Sequence, residues 1–229
     1  MGEPTTPFEQ RQYTSVFVVL SMLTVTSLIV ANTVASKIVM VGPLSVAAGI
    51  LCFPLSYIIS DVLTEVYGYH RAKLVIWVGF ACLAVTSLIY LLATELPPAP
   101  FYQNEGAFDI IFSQVPRIAF GSLLGFLTGS LLNAIVMSKM KVWTEGRHLW
   151  TRTIGSTIVG EGADSLVFAL IAFGGVFPTR DLLMVALSGF LLKTGYEILA
   201  TPITYIVVSK VKKVEGVDTF DRYVSYSPL

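Results

Sequence analysis

The sequence is short of charge. Only 13% of its 229 residues are Asp, Glu, Lys or Arg, whereas 54% are hydrophobic. Soluble domains carry about 25% charged residues. Half that share, together with apolar runs of about 20 residues along the whole length, is typical of a membrane protein. The 15 basic residues are balanced by 15 acidic ones, so no basic excess indicates a nucleic-acid partner.

Several motifs of enzymes and metal sites are absent as well. The chain has no G-x-x-x-x-G-K-[ST], no H-E-x-x-H and no Cys/His cluster with zinc spacing. Its two cysteines, Cys52 and Cys82, lie inside apolar segments, where a cysteine acts as a small hydrophobic side chain. We therefore expect no metal and no cofactor, and we predict that the protein is not an enzyme.

Six apolar segments alternate with polar loops. They predict an all-α integral membrane protein with six transmembrane helices over residues 15–209, between a polar arm (1–14) and a polar tail (210–229). Pro43 suits a first helical turn, whereas Pro54 and Pro202 should kink or break their helices. The second segment, which holds Pro54, either spans the membrane or is re-entrant. The predicted spans are about 15–36, 43–66, 74–93, 110–137, 149–176 and 182–209.

The distribution of Lys and Arg among the short loops predicts the orientation. Loops 67–73 and 139–152 and the tail from residue 210 are basic, and they alternate with loops poor in Lys and Arg at 37–42, 94–109 and 177–181. All of these agree if the chain spans the membrane six times and both termini are cytoplasmic.

Four charged residues lie near the middle of the last two predicted spans. Glu161 and Asp164 share one helix face, and Lys193 and Glu197 share another. A charge in hydrocarbon costs about 2.5–3.5 kcal/mol, so each should face a partner, a cavity or a substrate. If Lys193 pairs with Glu197 inside its own helix, Glu161 and Asp164 have no cation. The two acids would then be protonated, bind a proton or cation, or receive a substrate rich in N–H donors.

Glycines mark places where helices approach closely. Gly160 and Gly162 flank Glu161 and predict either a broken helix or close packing. Gly121, Gly125 and Gly129 recur every four residues in the fourth span. This spacing predicts a face for helix–helix contact, within the chain or in a homodimer.

Further polar and aromatic residues are candidates for the site or for a gate. Asp61 and Glu65 end the second span and form either a gate or coupling site or an interfacial salt network with Arg71 and Lys73. Arg117 is a third gate candidate, or it snorkels to the headgroups. The remaining substrate-binding candidates are Asn32, Phe53, Tyr57, Asn133 and Tyr196.

Several long motifs resemble the queuosine precursor transporter family, also called the putative vitamin uptake transporters. From Phe53 the chain reads F-P-L-S-Y-I-I-S-D-V-L-T-E-V-Y-G, and from Leu149 it reads L-W-T-R-T-I-G-S-T-I-V-G-E-G-A-D-S. P-R-I from Pro116, K-T-G-Y-E-I-L-A-T-P-I-T-Y from Lys193 and K-V-E-G-V-D from Lys213 continue the match in order. The resemblance covers nearly the whole chain.

This resemblance implies a six-helix importer of 7-cyano-7-deazaguanine, 7-aminomethyl-7-deazaguanine or both, which feed queuosine synthesis in tRNA. Asp164 and Glu161 would accept the guanine-like N–H edge, while Lys193 and Glu197 would contact or orient the base. Two alternatives stay open: the substrate-binding subunit of an ATP-driven vitamin importer, and a membrane-embedded enzyme. Proton coupling and facilitated diffusion both fit the sequence.

Overall fold

The structure is a computed structural model that describes residues 13–34, 37–41, 44–112, 116–175 and 178–227. A short hairpin and a 3-10 helix (Ala48–Cys52) follow the first of seven α-helices. The hairpin strands are β1 (Ile38–Val41) and β2 (Leu44–Ala47), and the helices are α1 (Ser15–Val34), α2 (Phe53–Tyr67), α3 (Tyr69–Thr94), α4 (Glu105–Phe112), α5 (Pro116–Trp143), α6 (Leu149–Phe173) and α7 (Thr179–Glu215).

Five of these helices are long and apolar enough to cross a bilayer. They are α1, α3 and the greater parts of α5, α6 and α7. At about 1.5 Å per residue, 20 residues cross the roughly 30 Å of hydrocarbon. The chain is therefore a multi-pass membrane protein.

The second predicted span is not one helix. β1 and β2 pair antiparallel, with Ile38 opposite Ala47, and α2 has only 15 residues, which is about 22 Å and too short to span alone. Of the two alternatives predicted for Pro54, a kink or a broken helix, the structure shows the break. The 3-10 helix ends at Cys52 and Pro54 lies in the first turn of α2, where its missing N–H breaks no helical bond. Pro43 lies outside the described residues.

The long helices differ from their predicted forms in other places. α6 runs unbroken through Gly160 and Gly162, so the prediction of a broken helix there is wrong. α7 continues through Pro202 and ends at Glu215, beyond the predicted end at residue 209. The short helix α4 lies in the segment predicted as a loop.

The glycines of α5 and α6 allow close packing inside the subunit. A Cβ placed on Gly129 would lie 2.8 Å from the Gly160 carbonyl oxygen, and a Cβ on Gly160 would lie 2.8 Å from the Asn133 Cβ. Because α6 covers Gly125 and Gly129, contact within the chain is confirmed for these two glycines, and a homodimer stays a prediction. The face serves packing between neighbouring helices of one chain.

Residues 217–227 fold back onto one end of the bundle. The Asp221 Oδ2 accepts the Tyr69 N–H at 2.8 Å at the start of α3, and the Lys73 Nζ donates to the Ser227 carbonyl at 3.0 Å. Gly68 has φ +85°, and a Cβ there would lie 2.7 Å from the Thr219 Cγ2. The helix ends that carry the three basic segments thus lie together. We call this the basic end: the ends of α2, α5 and α7 and the starts of α3 and α6.

Candidate functional site

The central feature of the bundle is a lysine shared by two acids. The Lys193 Nζ on α7 lies 2.8 Å from the Glu161 Oε2 on α6 and also forms an ion pair and a hydrogen bond with the Asp164 Oδ2. We call these three residues the lysine triad. Their side chains are 16–19% exposed, so the triad is sheltered yet accessible.

The triad corrects one prediction made from spacing. Lys193 does not pair with Glu197 inside α7, and Glu161 and Asp164 do have a cation. A lysine side chain can extend to either partner, but α6 presents two carboxylates at i,i+3 spacing. Their combined attraction for one ammonium exceeds that of a single glutamate on the same helix.

Glycine and tyrosine place the acids of the triad. A Cβ on Gly129 would lie 2.7 Å from the Asp164 Cβ, and one on Gly125 would lie 2.5 Å from the Asp164 Oδ1. Asp164 therefore occupies space that exists only because α5 carries glycine at both positions. On the other side, the Tyr57 hydroxyl of α2 donates a hydrogen bond to the Glu161 carboxylate. Tyr57 therefore lies beside the triad, and its role in substrate binding stays a prediction.

A second group of carboxyls lies beside the triad. Asp61 on α2 and Glu197 on α7 are buried, at 1% and 0% exposure, and their carboxyl groups face each other within hydrogen-bonding distance. The Asn133 Nδ2 donates to the Asp61 Oδ1 at 3.4 Å. In the described part of the chain, neither acid has a Lys, Arg or His within ion-pair distance. We call Asp61 and Glu197 the acid pair.

Glu65 belongs to a different cluster from Asp61, although both lie on α2. The Arg152 guanidinium binds it through two parallel hydrogen bonds, of 2.7 Å from Nη2 and 3.1 Å from Nε, a geometry that strengthens charge-assisted pairs. The Lys212 Nζ lies 2.8 Å away and the Lys141 Nζ 3.6 Å away. With Asp218, these residues form what we call the basic-end cluster.

Asp218 brings the tail of the chain into this cluster. It forms ion pairs with Lys141 and with Lys212, the latter at 3.0 Å. Partial burial raises the pKa of Asp218, but hydrogen bonds from the two lysines outweigh it and lower the pKa overall. The predicted network of Glu65 with Arg71 and Lys73 is wrong, because the guanidinium of Arg71 lies 5.9 Å over the Phe17 and Tyr67 rings instead.

The sequence analysis missed Lys141, Arg152, Lys212 and Asp218 as members of a buried cluster. Their only signal was membership of basic loops, which predicts orientation rather than burial. Lys141 and Arg152 are nonetheless 2% and 1% exposed. A buried base needs a buried acid, and Glu65 provides it at 0% exposure.

The other predicted site residues lie elsewhere. Asn32 lines a cavity of about 30 Å³ with Thr33, Thr86, Ser87 and Tyr90, and none of the acids of the triad or the acid pair lines it. Tyr196 is 36% exposed on the surface of α7. Phe53 begins α2 and Arg117 lies in the first turn of α5, but their side chains lie outside what the structure describes.

Chemically, the triad offers both kinds of hydrogen-bonding partner in one place. The carboxylates of Glu161 and Asp164 accept N–H donors, and the ammonium of Lys193 donates to an oxygen. The acid pair adds two carboxyls without a cation. Within the described residues, no group of three or more His, Cys, Asp and Glu side chains is arranged to hold a metal.

Comparisons with known proteins all point to one family. The family model described as "Putative vitamin uptake transporter" matches residues 47–207. The chain is 30% identical over 176 residues to the "Probable queuosine precursor transporter" of Bacillus subtilis, covering 76% of this chain and 77% of that one.

Two further relatives match over a shorter stretch. The "Queuosine precursor transporter" of Escherichia coli is 27% identical over 125 residues, and the "Probable queuosine precursor transporter" of Haemophilus influenzae is 31% identical over 129 residues. Each alignment covers 55% of this chain and about half of the relative, at 54% and 51%. No solved structure matches the chain.

Proposed function

Because this chain belongs to the family described as putative vitamin uptake transporters, we propose that it imports a queuosine precursor across the inner membrane. The names of three relatives support this substrate class. We propose 7-cyano-7-deazaguanine, 7-aminomethyl-7-deazaguanine or both as the substrate. In the same proposal, both termini and the basic end face the cytoplasm, as the excess of Lys and Arg in these segments favours.

The lysine triad is the observation that carries the proposal. A guanine-like edge presents a carbonyl oxygen, a ring N–H and an amino group side by side. One carboxylate can accept the two N–H groups in parallel, as it does from a guanidinium, while the Lys193 ammonium donates to the carbonyl oxygen. The triad therefore complements all three polar groups of that edge.

Substrate binding by exchange avoids an unpaired charge in the membrane. Lys193 already contacts two acids. When the base takes one carboxylate, the ammonium keeps the other and gains the carbonyl oxygen. The triad carries two negative charges against one positive charge, so it also favours the cationic aminomethyl form over the neutral cyano form.

Binding to the purified protein tests the substrate and the site together. Thermal unfolding is measured with 7-cyano-7-deazaguanine, 7-aminomethyl-7-deazaguanine, guanine and biotin. A ligand at a hundredfold excess over its Kd stabilises the native state by about 2.7 kcal/mol. We expect both deazaguanines to stabilise the protein and biotin to have no effect.

The variants Asp164→Asn and Glu161→Gln then locate the site. Hydrogen bonds to a charged group contribute about 1.5–3 kcal/mol, so each change should weaken binding about 10- to 100-fold, and alanine at either position should abolish uptake by cells that still hold folded protein in the membrane. Glu95→Gln, an exposed acid in the loop before α4, is the matched control. If both triad variants bind normally, the site lies elsewhere; if no deazaguanine binds the folded wild type, the substrate assignment is wrong.

A further inference from the structure

We propose that Asp61 and Glu197 form a proton-binding site, separate from the substrate site, that takes up one proton together with each substrate. The inference rests on the proposed transport function and extends it from carriage to proton-coupled uptake. It comes from the balance of buried charges around the lysine triad.

Among the residues that the structure describes, the acid pair has no cation within ion-pair distance to neutralise it. Both carboxyls are essentially unexposed, and Lys193, four residues before Glu197, is engaged by Glu161 and Asp164. Apart from the amide hydrogen bond from Asn133 to the Asp61 Oδ1, the Asp61 Oδ2 and both oxygens of Glu197 have no hydrogen-bond donor in the described structure. Two ionised carboxylates cannot donate to each other, so these oxygens lack partners only while both groups are charged.

One shared proton supplies the hydrogen-bond donor that the two carboxyl groups lack. It forms an O–H bond on one carboxyl, and that hydroxyl donates to the facing carboxylate. Two carboxylates in contact rarely ionise together, and pairs that share one proton are well known. A metal ion fits less well, since the described residues offer two carboxyls and one amide and no third acid, His or Cys in a metal-binding arrangement.

The acidic neighbours of the pair favour the form that holds a proton, whereas the Asn133 amide, as a donor to Asp61, favours the charged form. Glu65 lies one turn further along α2, and Glu161 faces the pair from α6. Asn133 is the polar contact from α5. The other titratable groups nearby are Tyr57 on α2, Asp164 on α6 and Lys193 on α7, and all three already take part in the triad or bind it.

The acid pair and the triad compete for the same ammonium. Lys193 and Glu197 are four residues apart on α7, which is within reach of an ion pair. While the pair holds its proton, Lys193 stays with Glu161 and Asp164, as in this structure. Loss of the proton gives Glu197 a charge that draws the ammonium away and dismantles the substrate site. Proton binding and substrate binding therefore favour each other, which is the requirement for their joint transport.

Calorimetric titration with 7-aminomethyl-7-deazaguanine and 7-cyano-7-deazaguanine, in two buffers of different ionisation enthalpy, measures the proton directly. At a pH at which the substrate-free pair is ionised, the wild type should take up one proton on binding, and its affinity should fall there by up to about tenfold per pH unit. In Glu197→Gln and Asp61→Asn, binding should persist with neither proton uptake nor this fall. Glu95→Gln should behave as the wild type.

Transport and spectroscopy complete the test. In proteoliposomes, a lower pH outside than inside should drive substrate accumulation by the wild type. Glu197→Gln should exchange substrate across the membrane without accumulating it. At a lower pH, at which the substrate-free pair holds its proton, infrared spectra of the wild type should contain a protonated-carboxyl band that Glu197→Gln removes and Glu95→Gln keeps.

The outcomes separate the two proposals. Binding by the wild type without proton uptake at any pH tested, or Na⁺-driven accumulation that Glu197→Gln abolishes, overturns the proton site and leaves the importer standing. A wild type that binds no deazaguanine but shows the carboxyl band overturns the substrate and keeps the protonated pair.

Discussion

Asp61 and Glu65 lie one turn apart on α2, yet they belong to clusters with opposite balances of charge. Around Glu65, two acids meet three cations, namely Lys141, Arg152 and Lys212, with Asp218 as the second acid. Asp61 lies in a group of four acids, with Glu161, Asp164 and Glu197. Among the described residues, Lys193 is the one cation that forms an ion pair with any of these four.

This difference bears on the two proposals. Each charge of the basic-end cluster has an opposite charge within ion-pair distance, so ligand or proton binding there would break existing ion pairs. Around the lysine triad and the acid pair, four acids exceed the single lysine, and the surplus can be met by protons or by the N–H groups of a substrate. We therefore propose the excess of buried acid, rather than buried charge as such, as the mark of the transport site.

The largest expected effect comes from removing the central acid of the basic-end cluster. Glu65→Gln leaves Arg152 buried without an acid and Lys141 with Asp218 alone, and breaking a buried pair in this way costs about 3–5 kcal/mol. The melting temperature should fall by more than about 6 °C, or the protein should fail to accumulate in the membrane. The measurement is thermal unfolding of detergent-purified protein, and the control is Glu145→Gln, which changes an exposed acid.

A double variant shows whether the cost comes from the stranded cations. Glu65→Gln combined with Arg152→Gln removes both charges and should be less destabilised than the sum of the two single variants. If Glu65→Gln unfolds at the wild-type temperature, or if the single effects simply add, the cluster does not stabilise the fold as the ion pairs indicate.

A feature of this comparison could be predicted from sequence where it depends on residues that are close together in the chain. Long apolar runs are local, so they identified the five helices long enough to span. The midplane depth of Glu161, Asp164, Lys193 and Glu197 stays a prediction. Helix periodicity placed the acids of α6 on one face. The second segment failed because its hydropathy is equally high in a hairpin, a 3-10 helix and a short α-helix.

Pairings between helices could not be predicted, because they depend on packing. Spacing within α7 favoured Lys193 with Glu197, but α6 presents two acids to the same ammonium. Likewise, nothing local shows that Arg152 and Lys212, in two separate basic segments, meet at Glu65. Spacing did identify the glycines of α5, but it could not tell packing within the chain from packing in a dimer.

A smaller effect is expected from a change that shifts Asp164 of the lysine triad without removing its charge. Gly129→Ala places a Cβ 2.7 Å from the Asp164 Cβ and 2.8 Å from a backbone oxygen of α6, so the two helices must separate slightly. Overpacking of this kind costs about 1–3 kcal/mol. The melting temperature should fall, and because Asp164 moves, deazaguanine binding should weaken as well.

Gly195→Ala is the matched control, because it lies in a spanning helix with no other atom within 4 Å of the added carbon. Alanine there should be neutral or should stabilise by up to about 1 kcal/mol through helix propensity. Equal melting temperatures for the two alanine variants would mean that α5 and α6 are not in close contact at Gly129.

The smallest effect concerns Asp218, which is partly exposed at the edge of the basic-end cluster. Its folded-state pKa lies below the ordinary value of 3.8, because hydrogen bonds from Lys141 and Lys212 outweigh burial. A lowered folded-state pKa contributes stability at pH values above 3.8, and that contribution is lost as the pH falls through the folded-state pKa. Since the Asp218 side chain is 46% exposed, the contribution should be below about 1 kcal/mol.

Asp218→Asn should therefore melt slightly below the wild type, by less than about 4 °C, with a constant difference from pH 8 to about pH 5. Below about pH 4 the two melting curves should converge, because the wild-type carboxyl becomes protonated there. High salt should narrow the gap at neutral pH by screening an exposed ion pair, whereas the melting deficit of Glu65→Gln should persist because its partners are buried. A gap for Asp218→Asn that widens at low pH would have the opposite sign and would mean that the lysines do not hold this carboxylate in its charged form.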